Sequence, residues 1–274
     1  MTRFDSATEV APAGAGRYTT ALDAGYLIGT AMNGGYLMAV MQRAALAESP
    51  LQHAVSSSFH FLRPAGEGPA EVETTVLKSG RTVTTVQAVI RQNDTPLVTG
   101  VLATATLDPA AVPAFEEPVP AIPPIGECRR FDPRAESAGG APQGFPQRLD
   151  TSFTPESWAR LSGRSADRVP ELLGYVGLSE ADGGPAADPA LFLPLAVDAL
   201  PPVVTVLDSW RWAPTVELTW HMRAVPEPGP LAFRSRAGAI GDGWFDETVD
   251  LWDGKGRLVA QSRQMARSGR PRAR

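Results

Sequence analysis

Apolar and polar residues alternate with two different periods along the chain. Between residues 33 and 48, in NGGYLMAVMQRAALAE, apolar side chains recur every three to four positions, which places them on one stripe of an α-helix. The stripe consists of Tyr36, Leu37, Val40, Met41 and Ala44. Asn33 stands just before the stripe and is a favourable N-cap residue, so we predict that the helix begins there.

The segments after this helix alternate residue by residue, which is typical of half-buried β-strands. They are VSSSFHFLR (55–63), AEVETTVLKSG (70–80) and TVTTVQAVIRQNDTPLVTGVLATATL (82–107). In the last of them QND interrupts two alternating runs and predicts a hairpin turn. The first half of the chain therefore consists of one helix followed by antiparallel strands.

The second half repeats this plan. We predict a short helix in DALPPVVTVLDSW (198–210) that begins near Pro201, because proline is accepted in the first turn of a helix and is costly later. Alternating segments follow it at TVELTWHMRA (215–224), GPLAFRSRAGAI (229–240) and GWFDETVDLWDGKGRLVAQSRQMA (243–266).

A proline-rich stretch separates the two halves. We predict an N-terminal unit over 1–108, a connection over 109–150 and a C-terminal unit over 151–274 that carries the active site. A helix that is apolar on much of its surface and is followed by long strands favours a sheet wrapped around that helix. Two such antiparallel sheets side by side form the double hot-dog arrangement, an α+β fold.

Composition excludes several classes of protein. A net charge of −5 argues against nucleic-acid binding. The one cysteine, Cys128, cannot form an intrachain disulfide and fits the reducing cytoplasm. No apolar run reaches the roughly 18 residues of a membrane span, and MTRFDSATEV lacks the apolar core of a signal peptide. We therefore expect a cytoplasmic protein without a membrane partner.

Common catalytic motifs are missing. The sequence has no G-x-S-x-G for a serine nucleophile, no H-E-x-x-H or cysteine–histidine cluster for zinc, and no glycine-rich dinucleotide or P-loop signature. We expect neither a metal nor a cofactor.

With these segments in view, the chain resembles the TesB-like acyl-CoA thioesterases, which carry two hot-dog units in one polypeptide. The resemblance spans most of both halves and is weak in the linker and over 150–190. It implies hydrolysis of a fatty acyl-CoA to the free acid and coenzyme A, and association into homo-oligomers.

The hydrolytic centre of that family is an aspartate, a threonine or serine, and a glutamine. Carried onto this chain, the resemblance places them at Asp198, Thr215 and Gln264. Gln261 is the alternative to Gln264, and their odd spacing sends the two side chains to opposite faces of the strand.

The turn from Asn33 to Gly35 is expected to line the substrate groove. Backbone N–H groups at a helix start can receive an oxyanion, and Gly34 and Gly35 would permit a close approach. Thioester hydrolysis also needs a base for the attacking water, and a partly desolvated carboxylate such as that of Asp198 can serve.

Structural interpretations stay open beside these. Asp198 could stabilise a helix start, Thr215 could satisfy a turn, and the two glycines could serve only close packing. The alternative function is a hot-dog protein that binds acyl or polyketide-like ligands without hydrolysing them. A third is an acyl transferase or cyclase on the same scaffold.

Overall fold

The computed structural model describes residues 1–132, 144–207 and 213–268. The α-helices in these ranges are α1 (Arg3–Ala7), α2 (Gly34–Ala47), α3 (Pro155–Leu161) and α4 (Pro189–Ala196). The strands of the first half are β1 (Ala11–Gly14), β2 (Arg17–Leu22), β3 (Leu27–Ile28), β4 (Ala31–Met32), β5 (His53–Phe61), β6 (Gly68–Lys78), β7 (Thr84–Gln92) and β8 (Thr95–Ala105). Those of the second half are β9 (Arg129–Arg130), β10 (Leu149–Phe153), β11 (Glu171–Leu178), β12 (Thr215–Met222), β13 (Leu231–Arg236), β14 (Ile240–Gly241), β15 (Trp244–Trp252) and β16 (Leu258–Arg267).

Both halves share one antiparallel sheet. Its strand order is β1-β2-β6-β7-β8-β5-β12-β16-β15-β13-β11-β10-β9, with β14 paired to β15. The halves meet where β5 pairs with β12, in a register that sets Phe59 opposite Leu218. The predicted α+β double hot-dog fold is confirmed, with the two sheets joined into a continuous surface.

The predicted strands and hairpins of both halves lie where the alternation indicated. Asn93 and Asp94 connect β7 to β8 with positive φ angles of 48° and 61°, as a tight hairpin turn of matching twist requires. Residues of asparagine and aspartate type tolerate this left-handed conformation better than most others.

Helix α2 is the centre of the first half and begins as predicted. The Asn33 side chain accepts a hydrogen bond from the Tyr36 N–H at 2.9 Å and so caps the helix. Tyr36 and Met38 through Met41 are fully buried, because strands β5 to β8 and helix α4 pack around the helix. Burial on so many sides explains why its sequence carries few polar residues.

The predicted helix near Pro201 is wrong. The central helix of the second half is α4, which lies upstream of Asp198, and the segment after the two prolines holds a 3₁₀ helix over Val203–Val206. Residues 208–210 of the predicted helix lie outside the described ranges. Helix α4 is apolar throughout and contains Pro194, so its sequence shows neither the polar face nor the proline-free interior that mark a helix.

The region between residues 150 and 190, in which the resemblance is weak, is structured. It holds α3 and β11, and β10 runs through its beginning. The predicted domain boundaries stay a prediction. No α-helix of the described ranges is long and apolar enough to cross a bilayer.

Candidate active site

A large cavity opens where the two halves meet. Its volume is about 1350 Å³, and residues of both halves line it. One wall is apolar and comes mainly from the segment around β9, β10 and α3: Phe131, Phe145, Leu149, Phe153, Trp158 and Leu161. The polar side chains on another part of the lining include Asn33, Asp198, Thr215, Glu247 and Gln264. The cavity therefore combines an apolar surface with a small polar cluster.

Asp198 lies at the start of the central helix of the other half. Its Oδ2 accepts a hydrogen bond from the Gly35 N–H at 2.7 Å, and the Asn33 amide donates to its backbone oxygen at 3.0 Å and to Oδ2 at 3.3 Å. A carboxylate is favoured there because the N–H groups of the first turn carry partial positive charge. The sequence predicted Asp198 at the start of a helix in its own half, and that prediction is wrong, because Asp198 follows the end of α4. Its carboxylate instead meets the start of α2, in the other half of the chain.

The environment of Asp198 favours its protonated form. Burial raises the pKa of Asp198 to about 7, and the hydrogen bonds from the Gly35 N–H and from Asn33 act in the opposite direction. The side chain keeps partial access to the cavity while protein surrounds the rest of it. A carboxyl group with such a pKa can accept a proton near neutral pH.

Thr215 and Gln264 lie diagonally across the β12–β16 pair, in which Thr215 is opposite Ala266 and Gln264 is opposite Leu218. The Thr215 hydroxyl donates to Gln264 Oε1 at 2.6 Å, and Gln264 is 8% exposed. Gln261, the alternative glutamine, faces the other side of the sheet and bonds Arg223 and Asp250 there. The alternation of strand β16 thus separates the two glutamines as expected.

The structure brings all six predicted site residues to one region, although not into one hydrogen-bonded set. Asn33, Gly34, Asp198, Thr215 and Gln264 line the cavity, and Gly35 contacts Asp198 from the helix behind it. Among the described residues, Asp198 has no direct hydrogen bond to Thr215 or Gln264. The carboxylate and that pair border the same cavity.

The two glycines are positions where a side chain would collide. A Cβ on Gly34 would come within 2.8 Å of Asp198 Oδ2 and of the Phe61 ring, and a Cβ on Gly35 within 2.7 Å of the Pro194 carbonyl oxygen. Gly34 permits the approach of the carboxylate and Gly35 that of helix α4. The Gly35 N–H is already used by Asp198, whereas the Gly34 N–H has no hydrogen bond within the described ranges.

Glu247 is a site residue that the sequence reasoning missed. It lines the cavity, is 2% exposed, and accepts hydrogen bonds from the Val203 N–H at 2.8 Å and from Gln264 Nε2 at 3.3 Å. Burial raises the pKa of Glu247 to about 7, and the charge of Asp198 acts in the same direction. Strand parity could have found it, because Glu247 is in phase with the buried Phe245 and Val249 of β15.

Comparison with protein families gives the class of this chain. Residues 22–107 match the model of the acyl-CoA thioesterase N-terminal domain, and residues 125–267 match that of the acyl-CoA thioesterase C-terminal domain. The chain belongs to the acyl-CoA thioesterase family. It is a thioester hydrolase by this membership. In the described part of the chain, no cluster of three or more His, Cys, Asp or Glu side chains could hold a metal ion.

Solved structures and a curated protein are similar to this chain over most of its length. A Thermobifida fusca protein, provisionally assigned as a thioesterase II, is 64% identical, with 98% of both chains covered and a TM-score of 0.93. The acyl-CoA thioesterase II TesB2 of Mycobacterium marinum shares the fold at 13% identity, with a TM-score of 0.71 over 98% of this chain and 99% of its own. An uncharacterised Mycobacterium tuberculosis protein is 28% identical over 88% of this chain and 87% of its own length.

Proposed function

We propose that this acyl-CoA thioesterase hydrolyses fatty acyl-CoA to the free acid and coenzyme A by direct attack of a water molecule. The observation that carries the proposal is the position of Asp198, a desolvated carboxylate that borders the same cavity as the Thr215–Gln264 pair. The apolar wall of that cavity suits an uncharged acyl chain.

Asp198 is the general base in this proposal. A water molecule between Asp198 and the Thr215–Gln264 pair loses its proton to the carboxylate as its oxygen attacks the thioester carbonyl. The Thr215 hydroxyl donates its own proton to Gln264, so its oxygen is left to accept a hydrogen bond from that water. No covalent enzyme intermediate is needed.

The tetrahedral intermediate carries a negative oxygen that needs a donor. The Gly34 N–H suits this task, because it stands at the positive end of helix α2, lines the cavity and is not used by another group of the described residues. The Gly35 N–H serves instead to hold Asp198. Collapse of the intermediate then breaks the C–S bond and gives the free acid. The departing coenzyme A thiolate takes the proton held by Asp198 and leaves as the thiol, which restores the carboxylate.

The proposal is tested by measuring thiol release from short, medium and long acyl-CoAs, with the acid product analysed after reaction in ¹⁸O-labelled water. We expect one ¹⁸O atom in the acid, and a loss of kcat of about 10²-fold or more in Asp198→Asn and in Gln264→Ala. Thr215→Ser should retain activity that Thr215→Val loses, since only serine keeps the hydroxyl.

Gln261→Ala is the matched control, because it removes the other glutamine of β16 on the opposite face and should leave kcat unchanged. Tight binding of acyl-CoA by the wild-type protein without thiol release would refute the proposal in favour of a ligand-binding protein. Full activity of Asp198→Asn on every chain length would refute the assigned base.

A further inference from the structure

Glu247 is a buried carboxyl group that the proposed reaction does not use. It lies in the middle of β15 at 2% exposure, and no lysine, arginine or histidine pairs with it in the described part of the chain. A carboxylate without a cation is costly to bury, so its retention calls for other interactions that hold it.

Both of its oxygens accept hydrogen bonds, and each comes from a different element. Oε2 accepts from the Val203 N–H at 2.8 Å, in the 3₁₀ helix that follows Asp198 along the chain. Oε1 accepts from Gln264 Nε2 at 3.3 Å, on the adjacent strand β16. Glu247 therefore lies between the segment that carries Asp198 and the glutamine of the site.

The contact with Glu247 decides which way the Gln264 amide points. Gln264 Nε2 donates to Glu247 Oε1, which leaves the amide oxygen facing Thr215. An ionised Glu247, with both oxygens accepting, can receive only the NH2 end of the amide. The Thr215 hydroxyl must then donate to that oxygen, as its 2.6 Å contact indicates. Without an acceptor at position 247, the Gln264 amide could rotate by half a turn. Its NH2 group would then face Thr215, and the Thr215 hydroxyl would accept a hydrogen bond instead of donating one.

We infer that Glu247 is a positioning residue of the thioesterase site: its carboxylate fixes the orientation of the Gln264 amide and, through it, the direction of the Thr215 hydroxyl. This inference rests on the proposed function, because it concerns the same water-holding pair. It assigns no contact with the substrate to Glu247.

The neutral isostere Glu247→Gln tests the inference. If the oxygen of the new amide accepts from the Val203 N–H, its NH2 group points to Gln264. The Gln264 amide must then turn its own oxygen toward residue 247 and away from Thr215. We expect kcat to fall about 10- to 100-fold with KM nearly unchanged. Asp250→Asn is the matched control on the same strand and the opposite face, where Asp250 pairs with Arg234. It should leave kcat unchanged.

A double-mutant cycle separates positioning from simple support of the fold. In a Gln264→Ala background, measured by single turnover with excess enzyme, Glu247→Gln should lower the rate by less than about threefold, because the group it orients is already gone. Multiplicative losses in the double variant would overturn the inference, as would wild-type kcat in Glu247→Gln. If circular dichroism shows Glu247→Gln to be unfolded, Glu247→Met, which avoids burial of a polar group, takes its place in the same cycle.

These outcomes are distinct from failure of the proposed function. Absence of thiol release by the wild-type protein would end the proposed function. An active wild-type protein with an equally active Glu247→Gln variant would end only the role of Glu247.

Discussion

Asn33 and Asp198 are 165 residues apart in the chain and touch beside the cavity, where the Asn33 amide donates to the backbone oxygen and to Oδ2 of Asp198. Asn33 also caps helix α2 through its own oxygen. One side chain thus fixes both the start of the helix in the first half and the carboxylate of the second half. The candidate base is therefore held in place by the first half, whose described residues contribute no carboxylate and no glutamine to the cavity lining.

Asn33→Asp should therefore alter the base without removing the cap. Aspartate still accepts from the Tyr36 N–H, but it withdraws the donor from Asp198 and adds a negative charge beside it. We expect the acidic limb of the kcat/KM profile to move to higher pH by about one unit, with activity at pH 7 reduced about fivefold. Asn33→Ser keeps a cap without the added charge and should move the limb less. An unchanged limb in Asn33→Asp would contradict the assignment of Asp198 as the base.

The wild-type enzyme should lose activity as the pH falls through 7. The pKa of Asp198 is raised to about 7 by burial, and only the ionised form can accept the proton of water. We expect kcat/KM to rise about tenfold per pH unit below this value and to level off above it. Glu247, whose pKa is also raised to about 7, lines the same cavity, as do the charged side chains of Arg63, Arg160 and Arg168. The pH at which activity falls therefore belongs to the coupled site and not to Asp198 alone. A flat profile from pH 5 to 8, corrected for spontaneous hydrolysis, would contradict a carboxylate base.

Asp198 should make the folded protein less stable as the pH rises. Its pKa in the folded state lies above the ordinary value near 4, so between about pH 4 and 7 the folded state binds more protons than the unfolded state. The resulting loss of free energy of unfolding is complete above pH 7. Asp198→Asn removes this contribution. The free energy of unfolding of the variant minus that of the wild type should therefore be larger at pH 8 than at pH 4, by about 1–3 kcal/mol.

Urea unfolding of both proteins at pH 4, 6 and 8 measures that difference. Asp150→Asn is the control, since that carboxylate is half-buried beside Arg130 and lies away from the cavity lining. A constant difference between Asp198→Asn and the wild type at all three pH values would show that the carboxylate titrates at its ordinary pKa.

Gly35 should be intolerant of a side chain for reasons of packing. The Cβ of alanine would lie 2.7 Å from the Pro194 carbonyl oxygen and 2.9 Å from Leu195 Cα, both backbone atoms of helix α4. We expect Gly35→Ala to lower the free energy of unfolding by about 1–3 kcal/mol, because the two central helices must move apart. Thermal unfolding checks this, with Gly66→Ala as the control at a glycine whose added Cβ meets no atom within 4 Å. Equal melting temperatures for the two variants would contradict the close helix contact.

Elements with a clear local period could be predicted from the sequence. Strands β7, β8, β12 and β16 alternate because one face of each is more buried than the other, and α2 has a marked apolar stripe behind a good cap. Helix α4 could not be found this way, because burial on every side removes the polar face and Pro194 interrupts the pattern. The sequence reasoning therefore placed the second helix downstream of Asp198 when it lies upstream.

The sequence by itself determined the periodic elements, the turn between β7 and β8, and the opposite facing of Gln261 and Gln264, since each follows from residues close together in the chain. Only the tertiary structure decided that Asp198 meets the start of α2 and that Glu247 lies against Gln264. Those contacts depend on the pairing of β5 with β12 and of β15 with β16, which brings distant segments together. Burial in that assembly also decides the proton affinity of both carboxyl groups, because desolvation is a property of the folded surroundings and not of the residue type.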